Sequence, residues 1–433
     1  MRWRWGRTAP TRGQPPRENV GPMRTSGRRW ERGGVRGVAA LLLAASAFIV
    51  GCATVPPAQV SLADFPPTQI AEARENLRVF NAVWDLVNRK HYNPDTRGPT
   101  WDRAAAEYGP RAAAAKDDRA LYTVLNAMLA PLQDSHTFAI TQAQATERRS
   151  QVRARTGFNM QRVDGRWVVS DVLPKSPADQ AGVKIGWIVV ARNGEALGER
   201  IDFRPKEGEE ASWDFLNERD EKVRVSPTAQ RLSTASRQLV KELGDGFVYL
   251  RFDEFNRHDR RWLAAQLKTY AKAPGIVLDL RRNPGGETFS LGIVIGEFFD
   301  RAVDCGTFIS RSGARTVKNS WQLGSAKYAG KLVVLVDSSS GSAAEIFAAV
   351  LQDHGRATIV GRRTAGAVLA SWFYRLPDGG ELQLSREDYI APKGRRIEGI
   401  GVEPDVVVPR SLSELRAGRD RDVEVALEIL RKP

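Results

Sequence analysis

Apolar residues first recur with helical spacing at Leu77, Phe80, Val83, Trp84 and Val87, and again over residues 119–129. A polar turn, Pro131-Leu132-Gln133-Asp134-Ser135-His136-Thr137, follows the second helix. The basic stretch 148–155 breaks this pattern. From Thr156 the period shortens to that of strands punctuated by glycine. A strand is expected over 167–172, a hairpin turn at Asp164-Gly165, a short helix over 177–181 and a second tight turn at Asn193-Gly194. Beyond Leu232, strands at 247–252, 276–280, 332–336 and 357–360 alternate with helices at 259–270, 288–299 and from Ala343 onward. Strand-like residues fill 370–384, and a short strand falls at 406–408. Alternation of this kind predicts an α/β core. The expected organisation is a leader (1–51), a Pro- and Ala-rich tether (52–70), an N-terminal helical segment (71–150), a small β-rich domain (151–230) and the α/β core (231–433).

Charge alters this picture only at the N-terminus. The 433 residues carry a formal charge of +14, but residues 1–51 hold ten Arg and two Glu. The remaining 55 basic and 49 acidic residues form no long basic block, which argues against nucleic-acid binding. The basic leader runs into thirteen small and apolar residues, 38–50, too few for a membrane span and suited to a signal-peptide core. It ends at Ile49-Val50-Gly51-Cys52, which resembles a bacterial lipobox, with Cys52 as the lipidated residue and a plain signal peptide as the alternative. By the same resemblance, Ala53 after Cys52 points to a periplasm-facing anchor in the outer membrane of a bacterial envelope. Met23 is an alternative start. The other cysteine, Cys305, then has no partner for a disulfide.

Two junctions carry candidate chemistry. In Lys331 to Val350, KLVVLVDSSSGSAAEIFAAV, a buried strand breaks into small residues and a helix begins after Ser342. This presents a hydroxyl at the positive end of a helix dipole, where backbone N–H groups can stabilise an oxyanion. The competing reading is a capping box made by Ser342 and Glu345. In Gly275 to Gly286, GIVLDLRRNPGG, a buried strand enters a loop whose glycines allow close backbone approach. Nucleotide-binding spacing is missing there, and no His/Cys/Asp/Glu cluster has metal-ligand spacing, so no metal or cofactor is expected. Asp279 and Asp337 end strands and read as loop anchors. His91, His258 and His354 read as surface or capping residues.

LDLRRNPGG, VDSSSGSAAEIFAAVLQDHGRATIVG and IEGIGVEPDVVV occur in this order after the β-rich domain. Together they resemble the C-terminal processing (tail-specific) peptidase family. The resemblance implies an α/β crotonase-like (ClpP/crotonase) protease core with an inserted PDZ-like domain and an N-terminal helical segment. SPADQAGVKIG and the Asn-Gly turn carry the PDZ-like part, with Trp187 where that family usually has Asp. The resemblance implies Ser342 as nucleophile, and Gly286 and Ala343 as oxyanion donors. It also implies a peptide groove at Gly157, Phe158, Asn159 and Met160 for substrate C-termini. The usual Ser–Lys dyad is absent, because Ala367 stands at the lysine position and no Lys lies between Lys331 and Lys393. Asp134-Ser135-His136-Thr137 resembles instead the His-using, tricorn-core-like branch. There His136 acts as base, with Ser135 and Glu398 completing the set. Expected partners are protein or peptide substrates and, through Cys52, a membrane. The alternative is a catalytically inactive binding or scaffold lipoprotein.

Overall fold

The structure is a computed structural model describing residues 60–433 apart from 97–98, 200–202 and 324–326; the leader and Cys52 lie outside the described residues. Three helices come first: α1 (Ile70–Lys90), α2 (Pro99–Ala113) and α3 (Asp118–Leu129). Phe80, Val83 and Trp84 of α1, Trp101 of α2, and Leu121, Leu125 and Met128 of α3 are buried in one cluster. Trp84 and Trp101 stack 6.4 Å apart, and each indole N–H donates to the other's backbone carbonyl. The sequence reading has no counterpart to α2, although Trp101, Ala105, Tyr108 and Ala112 carry helical spacing. The chain then forms β1 (Phe138–Ile140) and α4 (Gln142–Ser150), which starts on a capping box of Thr141 and Gln144.

A β-rich unit is inserted next. It comprises β2 (Val152–Arg155), β3 (Phe158–Val163), β4 (Arg166–Val172), α5 (Pro177–Gln180), β5 (Ile188–Arg192), β6 (Glu195–Ala196), β7 (Trp213–Leu216), β8 (Lys222–Val225) and β9 (Gln230–Ser233). β2 and β9 pair antiparallel from Val152↔Ser233 to Arg155↔Gln230, so the unit leaves and rejoins the chain through a two-stranded neck. Its own sheet runs β3-β4-β5-β7-β8, with β6 beside β5. The two tight turns use adjacent positive-φ residues, Asp164 (47°) with Gly165 (73°) and Asn193 (51°) with Gly194 (82°), the geometry that matches strand twist. Phe158, Trp187, Trp213 and Phe215 fill the centre. Trp187 satisfies its indole by donating to Glu218 at 2.8 Å. Of the four residues expected at a peptide groove, Gly157 precedes β3 and Phe158, Asn159 and Met160 begin it; β3 is an edge strand.

The remainder holds β10 (Gln238–Glu242), β11 (Val248–Phe252), α6 (Arg257–Thr269), β12 (Gly275–Asp279), α7 (Thr288–Gly296), β13 (Asp304–Ser310), β14 (Arg315–Asn319) and β15 (Lys331–Val336). It continues with α8 (Ala343–Asp353), β16 (Thr358–Gly361), β17 (Ala370–Arg375), β18 (Glu381–Ile390), β19 (Val406–Val407), α9 (Leu412–Arg416) and α10 (Arg421–Arg431). The main sheet has the order β10-β11-β12-β15-β16-β19 and is parallel except for β10. Leu332, Val334 and Val336 of β15 pack with residues of α6, α7 and α8, while Val333 and Leu335 pack with Ala426 and Leu430 of α10. Both faces are covered, which is why β12 and β15 read as continuous apolar runs. The fold is thus mixed α/β.

A second sheet, β1-β18-β13-β14 with β17 on the other edge of β18, joins the N-terminal segment to this body. β1 pairs with β18 from Phe138↔Gln383 to Ile140↔Glu381. The helical segment therefore contributes a strand to the same body that carries Ser342. The inserted unit is held from two sides. Asp171 on β4 pairs with Arg237 and Arg282, and Arg416 of α9 donates to the carbonyl of Asn217 and to Asp220.

Candidate active site

Ser342 sits between β15 and α8 with φ 51° and ψ −117°, a strained backbone position for a residue with a side chain. Two bonds hold it there. Its N–H faces the carbonyl of Ala367 at 2.8 Å and a carboxylate oxygen of Glu345 at 3.0 Å. Glu345 is fully buried and also accepts from Thr364 Oγ1 (2.5 Å), Gly366 N–H (2.7 Å) and Ala367 N–H (2.8 Å). The expected capping residue thus clamps the 364–367 loop against the start of α8. Burial pushes the Glu345 carboxyl above its ordinary range, despite the hydrogen bonds that oppose the rise.

The Asn283-Pro284-Gly285-Gly286 loop lies against this turn. Gly285 (φ 112°) leaves no room for a side chain: a Cβ there would stand 2.6 Å from Ser342 Cβ and 2.9 Å from the N atom of Ala343. Asn283 fixes the loop by accepting Gly285 N–H at 2.9 Å and Gly341 N–H on its carbonyl at 3.0 Å. Gly286 (φ 140°) forms a bridge with Phe255 that uses the neighbouring Gly285 carbonyl and Glu287 N–H. Among the described residues, Gly286 N–H has no protein partner. Ala343 N–H, the first of α8, has none either.

His136 lies on the turn before β1. Its Nδ1 is 2.6 Å from Ser135 Oγ. Glu398 is 5% exposed and reaches this turn through the backbone: one oxygen accepts Ser135 N–H at 3.1 Å, the other Val368 N–H at 2.8 Å. Ala367 binds Ser342 and the adjacent Val368 binds Glu398, so a short relay ties the two turns together. Among the described residues no hydrogen bond joins Ser342 to His136 directly. Burial holds the His136 imidazole below its ordinary pKa, against the charges of Glu398 and Asp134, which raise it. Cβ alone stands at Ala367, in the loop that contacts both Ser342 and Glu345.

His91, expected as a surface or capping residue, does cap α1 but is not on the surface. His91 is buried and lies 2.6 Å from Asp134, with both side chains 1% exposed. Its position one residue past a helix end gave no signal of this. His258 is exposed, and His354 caps α8 and contacts the Asp304 carbonyl at 2.8 Å. Asp279 receives Tyr249 OH and Arg281, and Asp337 receives Ser339 N–H, as loop anchors do.

A family model described as Peptidase family S41 matches residues 246–408, and one described as Tricorn protease C1 domain matches residues 72–130. The first spans Gly286, Ser342 and Glu398; His136 lies just beyond the second. The carboxyl-terminal-processing protease of a Picosynechococcus species is 27% identical over 370 residues, covering 80% of this chain and 87% of its own. That of Bartonella bacilliformis is 28% identical over 336 residues, covering 70% and 73%. Among solved structures, the photosystem II D1 C-terminal processing protease superposes with a TM-score of 0.58 at 22% identity, over 82% of this chain and 97% of that one. Mature CPAF gives 0.61 at 14% identity, over 83% and 97%. These two likenesses show a shared fold.

Proposed function

Taking the chain as a serine peptidase of family S41, we propose that it cleaves protein substrates with Ser342 as nucleophile and His136 as base, in a crotonase-like core. The observation that carries this reading is the pair of unpartnered N–H groups, Gly286 and Ala343, beside Ser342. Oriented donors at that place are what a developing oxyanion requires. With the Nδ1 proton directed at Ser135 Oγ, the Nε2 lone pair of His136 is free to accept the Ser342 proton. Ser342 Oγ then bonds to the substrate carbonyl carbon, and the oxyanion accepts from Gly286 and Ala343. His136 returns the proton to the leaving amine, which departs and leaves an acyl-enzyme. Water, deprotonated by the same imidazole, attacks the acyl carbon; the bond from that carbon to Ser342 Oγ breaks, the imidazolium returns the proton to Oγ, and the acid product leaves. Contacts between nucleophile and base are commonly long in free enzymes and tighten with substrate, which accommodates the missing Ser342–His136 bond.

Ser135 and Glu398 serve the imidazole from behind. Ser135 Oγ fixes Nδ1, and Glu398 holds the Ser135 backbone and supplies negative charge to the protonated ring. The inserted unit is read as PDZ-like. Its edge strand β3, entered at Gly157-Phe158-Asn159-Met160, would pair with an extended substrate C-terminus. Cys52 would anchor the enzyme to the periplasmic side of a bacterial envelope, at the outer membrane. No helix among the described residues is long and apolar enough to cross a membrane.

The test is hydrolysis of an unfolded, fluorescently labelled casein, with labelling by a serine-directed fluorophosphonate. Wild type should cleave and be labelled. Ser342→Ala should lose both, and His136→Ala should lower turnover by about 10⁴-fold or more. Wild-type rates in either variant would overturn the assignment.

A further inference from the structure

One buried titratable pair that the mechanism above leaves unused touches the catalytic turn directly. Asp134 Oδ1 accepts the N–H groups of His136 (2.9 Å) and Thr137 (2.7 Å) and the hydroxyl of Ser385 (3.0 Å). Oδ2 accepts Thr137 Oγ1 at 2.8 Å and lies 2.6 Å from His91 Nε2. One carboxylate therefore fixes the backbone of the base, the start of β1 and its seat on β18. His91, which ends α1, completes it from beneath. The nearer backbone group of Asn93 to His91 Nδ1 is its N–H, at 3.3 Å. That leaves Nδ1 as acceptor and the ring proton on Nε2, aimed at Asp134. The His91 carbonyl is itself pinned by Arg311 at 2.6 Å.

We propose that His91 and Asp134 form a positioning pair for His136: a donor and a carboxylate, buried under the turn, that set where the imidazole stands and help it carry a proton. The proposal rests on His136 being the base. Five donor groups on one carboxylate leave the turn little freedom. A base displaced by about 1 Å can cost about 100-fold in rate. The charge acts too. Burial alone would raise the Asp134 carboxyl, but the hydrogen bonds from His91, from Thr137 and from the His136 N–H outweigh it and hold it below its ordinary range. Asp134 thus stays ionised beside His136. Asp134 and Glu398 act on His136 itself; beside His91, Tyr92 is flanked by Asp388 of β18 and by Arg396 and Glu398 of the loop after it, and Arg311 reaches the His91 carbonyl. Of these, Glu398 and Asp134 itself are the ones that raise the His136 pKa.

A buried pair that merely holds α1 to β18 would affect stability and not turnover, so the two roles separate experimentally. The labelled unfolded casein is hydrolysed by the full chain between pH 5 and 9, with urea melts alongside, in wild type, Asp134→Asn, His91→Phe, His91→Gln and His136→Ala. Asp134→Asn and His91→Phe should lower kcat about 100-fold with KM nearly unchanged. The acid limb of the Asp134→Asn profile should move to lower pH, because a charge that raises the His136 pKa is gone. His91→Gln, whose amide N–H can stand where Nε2–H stood, should regain most of kcat. Wild-type kcat in Asp134→Asn and His91→Phe overturns the positioning role alone, provided His136→Ala is inactive. Equal impairment of His91→Gln and His91→Phe overturns it as well. Activity in His136→Ala removes the base assignment and the pair's role together. Should His91→Phe fail to fold, the acid limb of Asp134→Asn and the kcat of His91→Gln still distinguish positioning from a purely structural role: an unmoved limb with wild-type kcat in both variants overturns the proposal.

Discussion

The Ser342 turn and the His136 turn, which the proposed mechanism brings to one site, are built differently. Ser342 follows a parallel strand covered on both faces, and its geometry comes mostly from backbone, with one buried carboxylate, Glu345: a positive φ, a carbonyl 25 positions ahead and a glycine packed against its Cβ. His136 hangs from a three-residue edge strand and its turn is fixed by side chains: Asp134 from within it, His91 from 43 positions before Asp134, and Glu398 from more than 250 positions on. The proposed nucleophile is thus intolerant of a new Cβ and the proposed base of a lost polar atom. A catalytic site can divide its precision between a rigid scaffold and a hydrogen-bonded network.

Gly285→Ala is the strongest test of the scaffold half. At φ 112°, with Ser342 Cβ 2.6 Å away, the added methyl should displace the nucleophile and the donors beside it. Casein hydrolysis should fall by about 100-fold or more, and urea melts should show a loss of about 1–3 kcal/mol from backbone strain alone. Unchanged turnover would mean that the turn is softer than its packing implies. On the network half, Glu398→Gln keeps the shape but turns an amide N–H₂ toward a backbone N–H. Turnover should drop by about 10- to 100-fold, with the acid limb moved to lower pH as the charge that raises the His136 pKa is removed.

The smallest effect compares the two buried carboxylates through the pH dependence of stability. Asp134 titrates below its unfolded value, so its stabilisation is present above that value and fades as pH falls through the folded pKa. Glu345 titrates above its unfolded value, so the fold gains from its protonation as pH falls. The penalty of Asp134→Asn should therefore shrink on acidification, and that of Glu345→Gln should grow. Urea melts from pH 7 to pH 3 that moved both penalties in the same direction would erase the distinction.

The same division governs what the sequence made readable. The strand–turn–helix junctions at Gly285 and Ser342 are local, and doubly buried strands such as Leu332 to Val336 announce themselves as apolar runs. Ser135 and His136 stand together in Asp134-Ser135-His136-Thr137, so a resemblance of that short segment is enough to single them out. The His91–Asp134 contact left no trace, since a histidine after a helix is ordinarily solvated and its partner is remote. β14 has no counterpart in the sequence reading because it is exposed along its whole length and has no apolar alternation. α10 did carry a signal: Val423, Ala426, Leu427 and Leu430 mark one face, and it covers the second side of the sheet. Glu398 was placed near the imidazole, yet its bonds go to the Ser135 and Val368 backbones, a detail that residue type cannot convey.

The β2–β9 neck has a consequence for how such a chain can be rebuilt. His136 precedes the inserted unit and Ser342 follows it, but the four paired positions from Val152↔Ser233 to Arg155↔Gln230 bring the two ends of the excursion side by side. In connectivity the insert enters and leaves like a hairpin, and the pairs made by Asp171 and Arg416 are its further ties to the rest of the molecule. Other modules with adjacent termini could be exchanged at that neck, altering what is delivered to the two turns without redesigning either of them.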